Sequence, residues 1–275
     1  KGSVMTEVNY LESLNPLQYE SVCSTEGPNL IIAGAGTGKT KVLTTRVAHI
    51  IDNNLSFPSQ ILCVTFTNKA AREMSERVQK LVSQNMEKMP WMGTFHSIGA
   101  KIIRNHAEVV GLKQSFTILD KDDQLSLIKQ IIKAENLDQS QFSPKLIQSK
   151  IDHWKNKALN PSDIKSETLD NLVDEKSLSI YKIYQARLFE INCLDFGDLL
   201  LQCINLFKVT DIHKRYSNNF KYIHVDEYQD TNAAQYKWLK LLGSHHQNVC
   251  CVGDDDQSIY SWRGAEVDNM LRFEK

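Results

Sequence analysis

AGAGTGKT, residues 33–40, decides how this chain is read. Holding a nucleotide's phosphates takes backbone N–H groups wrapped around phosphate oxygens and glycines that let the chain curl that tightly. It also takes a lysine for the β- and γ-phosphates and a hydroxyl for Mg2+. Gly34, Ala35, Gly36, Thr37 and Gly38 form such a loop, Lys39 supplies the amine and Thr40 the hydroxyl, while Ala33 stands at the usual first glycine. The apolar run NLIIA, 29–33, leads in. KTKVLTTRVAHIID, 39–52, leads out, with Val42, Thr45, His49 and Val47, Ile50, Ile51 at helical spacing. The spacing predicts strand, glycine loop and helix, with a helix N-terminus that favours an anion.

The same alternation continues. ILCVTF, 61–66, reads as a second strand before a helix lined by Ala70, Met74, Val78 and Leu81, and WMGTF, from Trp91, reads as a third before HSIGAKIIRNH. Strands alternating with helices imply an α/β layer on a mostly parallel sheet. From about Asp120 the pattern turns helical: DKDDQLSLIKQIIKAENL opens on a capping aspartate, and SPKLIQSKIDHWKNKAL and LSIYKIYQARLFEIN follow. Residues 105–194 therefore read as an all-helical insertion. Within it Lys145, Lys150, Lys155 and Lys157, offset by Asp152, read as a modest basic patch. Strand signals return in FKYIHVDE, 220–227, and NVCCVGDD, 248–255.

The totals constrain the class. With 275 residues, 41% hydrophobic and 24% charged, the chain is long enough for one large core or two domains. No run approaches the roughly 18 uncharged apolar residues of a membrane helix, so an intracellular, cytoplasmic protein with no membrane partner is expected. Six cysteines show neither a CxxC pair nor zinc spacing, and buried free thiols are expected. A net charge of −1 excludes a uniformly basic surface but permits a local groove.

A phosphate loop needs a carboxylate at the end of a second strand to hold the metal. Asp226, after the apolar YIHV, fits that role, and Glu227 is placed to activate a water. These features predict nucleotide hydrolysis. GDDDQSIYSWRG, 253–264, follows the last strand signal, where ligands gather beyond the carboxyl ends of parallel strands. Gln257 is placed to sense the γ-phosphate, Trp262 offers a flat face for a base, and Arg263 can neutralise a phosphate or extend the stack.

Taken together these segments resemble the N-terminal half of the UvrD/Rep/PcrA-type superfamily 1 DNA helicases. The resemblance implies an α/β P-loop NTPase (RecA-like) parallel-sheet domain, residues 4–104 and 195–275, interrupted by the helical subdomain 105–194. LNPLQ, 14–18, resembles the segment in which Gln18 reads the adenine edge, and Lys41 stands where an arginine often stacks beside adenine. TFTNKAAREM, 65–74, implies that Phe66 packs on a base with Thr67 and Asn68 near its backbone; GTFHSI, 93–98, places His96 by the strand. LDFGDLL, 194–200, resembles the segment that re-enters the motor domain, with Gly197 in place of a common acid. VDEYQDTN, 225–232, implies Asp226 on Mg2+, Glu227 as catalytic base and Gln229 and Asp230 as local couplers. GDDDQSIYSWRGA, 253–265, carries Gln257 toward phosphate and Tyr260, Trp262 and Arg263 toward DNA.

The resemblance further implies ATP with Mg2+ and 3′ to 5′ movement on single-stranded DNA and single-strand/duplex junctions, in repair and replication with repair proteins as partners. The chain is expected to be a fragment lacking a C-terminal second motor domain. The alternatives are an AddA/RecB-type helicase-nuclease fragment, an RNA-directed helicase and a non-enzymatic, ATP-gated binding module.

Overall fold

The computed structural model describes residues 10–32, 38–82 and 89–253. Packing divides the chain into two units. The first comprises residues up to Ile98, Thr210–Thr231 and those from Leu239; the second comprises Gly99–Val209 and Asn232–Trp238.

In chain order the elements begin with α1 (Pro16–Cys23), β1 (Asn29–Ile32), α2 (Lys39–Asp52), β2 (Ile61–Thr65), α3 (Asn68–Leu81), β3 (Met92–Thr94) and α4 (Phe95–Asn105). Next come β4 (Thr117–Leu119), α5 (Lys121–Ala134), α6 (Pro144–Asn156), α7 (Leu172–Glu190), β5 (Cys193–Asp195) and α8 (Asp198–Leu206). The last are α9 (Thr210–Asn219), β6 (Tyr222–Val225), α10 (Ala233–Leu242) and β7 (Val249–Gly253). Helix starts follow from local chemistry. Asn15 and Gln18 close a reciprocal capping box on α1, and the Asp120 carboxylate accepts from the Asp123 N–H at 2.8 Å to open α5.

The first unit is built on a parallel sheet in the order β1-β7-β6-β2-β3. ILCVT, YIHV and VCCVG are buried along their whole lengths, as parallel strands covered on both faces must be. Leu43, Val47 and Ile50 of α2 and Met74 and Val78 of α3 pack in one cluster with Ile61, Cys63, Tyr222, Cys250 and Val252. The register sets Asn29, Cys250, His224, Cys63 and Met92 in one row across the sheet. His224 is buried, and among the described residues neither of its ring nitrogens has a hydrogen-bond partner. Burial, with Arg46 adding to it, holds its pKa well below the ordinary histidine value. All six cysteines are free, and only Cys23 is exposed. Among the described residues no helix is long and apolar enough to cross a membrane.

The second unit has its own core, in which Ile128, Ile131 and Ile132 of α5, Ile147, Ile151 and Trp154 of α6, and Tyr181, Tyr184 and Leu188 of α7 meet. Two features correct the sequence reading. β4 and β5 pair in parallel as a two-stranded sheet, Ile118 opposite Leu194, so the unit is not purely helical. Strands of three residues carry too short a period to register against the helices around them. The basic patch, moreover, loses two of its four members. Lys150 is ion-paired with Asp174, and the Lys155 side chain has no exposed surface, its ammonium 2.6 Å from Asp195 and 3.0 Å from Asp198. Lys155 follows Ile147 and Ile151 at four-residue steps, so the buried stripe of α6 runs through it.

Candidate nucleotide and strand-binding edge

The expected site residues leave the sheet at its C-terminal edge, where successive parallel strands deliver their loops side by side. β1 leads to the phosphate loop, whose residues Ala33, Gly34, Ala35, Gly36 and Thr37 lie outside the described residues. The loop closes on Gly38, which caps α2 in the left-handed region at φ 91°. A side chain there would be strained, and a Cβ would come within 2.7 Å of the Gln18 Nε2. Gln18, expected at the adenine edge, is thus brought against the end of the phosphate loop. Lys39 and Thr40 open α2, and the Thr40 carbonyl accepts from the Thr44 hydroxyl at 2.8 Å. Lys41 is exposed and its ammonium donates to the Ser13 carbonyl at 3.0 Å.

β6 delivers the carboxylates. The Asp226 N–H extends the ladder, donating to the Val64 carbonyl at 3.0 Å, and its Oδ1 accepts the Glu227 N–H at 2.9 Å. Glu227 turns left-handed, at φ 51° and ψ 45°, a conformation uncommon for a residue with a Cβ. The turn swings its side chain toward α2, where Oε1 lies 3.6 Å from the Lys39 Nζ. Burial is the largest influence on Asp226 and raises its pKa; the Glu227 charge adds to the rise, while the Glu227 N–H and Lys39 oppose it. A buried carboxylate beside a second one is a donor set that a divalent cation would relieve. Among the described residues no cluster of three or more His, Cys, Asp or Glu side chains forms a self-sufficient metal site.

The neighbouring strands carry the residues expected to meet DNA. Phe66 follows β2, half-buried, with its ring 5.4 Å from that of buried Phe95 at 56°. Thr67 caps α3 through its hydroxyl, which accepts the Ala70 N–H at 3.1 Å, and Asn68 is exposed on the first turn. That helix end favours a phosphate. After β3, Thr94 and Ser97 exchange side-chain and backbone hydrogen bonds around the start of α4 and hold His96 between them. Burial lowers the His96 pKa to about 4, so the ring is neutral at pH 7 and offers hydrogen bonds rather than charge. Gln257, Tyr260, Trp262 and Arg263 follow β7 and lie outside the described residues. Lys39, Asp226, Glu227 and Gln18 are therefore brought to one part of the edge, with Phe66, Thr67, Asn68 and His96 just after the next two strands along.

Comparison with known proteins gives the family. The UvrD/REP helicase N-terminal domain family matches residues 14–275. The chain is 50% identical over 275 residues to a protein named DNA helicase II from Rickettsia typhi, covering 98% of this chain and 41% of that protein. It is 49% identical over 266 residues to the ATP-dependent DNA helicase PcrA of Staphylococcus aureus, covering 96% of this chain and 36% of that protein. The chain spans about two fifths of the length of these relatives. A match over nearly its whole length means that the chain belongs to the UvrD/REP helicase N-terminal domain family.

Proposed function

We propose that this chain is the ATP-hydrolysing part of a DNA helicase that moves 3′ to 5′ along single-stranded DNA and opens single-strand/duplex junctions during repair and replication. The observation that carries the reading is the Lys39–Glu227 approach of 3.6 Å at the sheet edge, next to the exits that hold Phe66 and His96. In this reading residues 4–104 and 195–275 form the motor domain and 105–194 the insertion. In the whole protein a second motor domain closes over the nucleotide and completes the DNA track, and repair proteins are further partners. The free thiols fit a reducing compartment such as the cytoplasm.

Ala33–Lys41 cradle ATP, with Gln18 at the adenine. Thr40 and Asp226 hold Mg2+, which when bound neutralises phosphate charge. Lys39 compensates charge on the β- and γ-phosphates, and Gln257 senses the γ-phosphate. Glu227 accepts a proton from the attacking water as the new O–P bond forms and the bond to the ADP leaving group breaks. Phe66, Trp262 and Tyr260 stack on bases, while Thr67, Asn68, His96 and Arg263 contact the strand.

The test uses the whole protein that contains this chain. DNA-stimulated ATP turnover and strand displacement on 3′- and 5′-tailed duplexes are measured for wild type and Glu227→Gln. Turnover is expected to fall at least about 100-fold with DNA binding retained, the loss typical of a missing general base. Unchanged turnover would remove Glu227 from that role, and displacement only from 5′ tails would reverse the assigned direction.

A further inference from the structure

β2 ends on a residue that the roles above leave unused. Its five residues are ILCVT, all buried, and the last is the polar one: Thr65 is 1% exposed. A buried hydroxyl needs a partner, and the Thr65 Oγ1 donates forward to the Thr67 carbonyl at 3.1 Å. This bond spans Phe66, so the backbone on both sides of that residue is fixed by a side chain anchored inside the sheet. On one side Val64 accepts the Asp226 N–H, and on the other Thr67 caps α3. The Phe66 ring then rests on Phe95, itself 1% exposed.

We infer that Thr65 is a positioning residue for strand binding: its hydroxyl holds the turn that aims Phe66, one residue beyond the ladder bond that ties β2 to the metal-binding end of β6. The inference rests on the reading of Phe66 as a nucleobase contact. Thr65 touches neither nucleotide nor DNA and acts through the backbone of its neighbour. Valine keeps the shape of threonine and loses the hydroxyl, whereas serine keeps the hydroxyl.

The experiment measures the oligo(dT) concentration that half-saturates ATPase stimulation, in the whole protein, alongside turnover without DNA. Thr65→Val is expected to raise the half-saturating concentration about three- to tenfold, a fraction of what one stacked base contributes, with DNA-free turnover unchanged. Thr65→Ser is expected to behave as wild type. In a Phe66→Ala background Thr65→Val should add nothing, because both changes remove the same contact. A general loss of packing would instead lower DNA-free turnover and persist in that background, and either result overturns the inference. Should Thr65→Val not fold, Thr65→Ala removes the hydroxyl without a second methyl group and is held to the same outcomes. Wild-type affinity in Thr65→Val beside a weakened Phe66→Ala overturns the positioning role alone. Wild-type affinity in Phe66→Ala overturns the base-contact reading, and the inference with it.

Discussion

Lys155 shares one ammonium between Asp195 and Asp198, where no solvent reaches any of the three side chains. Burial works against its charge, but the two carboxylates outweigh burial and hold its pKa above the ordinary lysine value. Burial and the Asp195 charge push Asp198 up to about 6. The Tyr184 hydroxyl donates to Asp195 at 2.7 Å, and Gln185 and Gln202 donate to Asp198. Gly197 makes room for this arrangement, since a Cβ there would come within 3.1 Å of the lysine stem. Lys155→Met would leave two buried carboxylates without a cation and is expected to destabilise the second unit by about 3–5 kcal/mol. Urea unfolding followed by Trp154 fluorescence checks it, because that ring stacks on Tyr181 at 5.8 Å; an unchanged midpoint would mean the charges are not held as a set. By residue type Lys155 reads as one more surface lysine. Its partners lie 40 and more residues away, so only the four-residue step from Ile151 marks the position as buried.

At the scale of elements, the run after the phosphate loop predicted a helix over 39–52, and the helix spans Lys39–Asp52. ILCVTF likewise yields a strand over Ile61–Thr65. Such segments were legible because their apolar period is long and their ends are marked by glycine or a cap. Lateral order was not legible, since nothing in YIHV or VCCVG names its neighbour, and the pairing sets His224 between Cys63 and Cys250. That placement has a pH consequence. The unfolded chain binds a proton on this histidine below about pH 6.5, and the folded sheet, whose His224 pKa is depressed, does not. Stability is therefore present above that value and lost as pH falls below it. His224→Val is expected to flatten the fall in unfolding midpoint between pH 7 and 5, with His96 still contributing its own part. An equal slope in both proteins would contradict the burial of a neutral ring.

For the whole molecule, the sheet of the first unit is assembled from three separated stretches of chain, whereas the core cluster of the second lies between Leu127 and Cys193. A chain cut after Val209 would lose β6 and β7 from the middle of the sheet, leaving β1 without a partner strand. Limited proteolysis of that truncated chain should digest residues 10–98 rapidly and spare a fragment within 99–209; protection of β2 and α3 would contradict this. The unequal contiguity of the units also orders events on the ribosome. Asn29 pairs with Cys250, and at about 5–20 residues per second the wait between their syntheses is on the order of 10–45 s. Throughout that interval NLII, Asn29–Ile32, has no strand to pair with, while the downstream helices can already condense. β1 is thus translated well before the strand that completes it, so a ribosome stalled between the two presents Asn29–Ile32 as an open sheet edge.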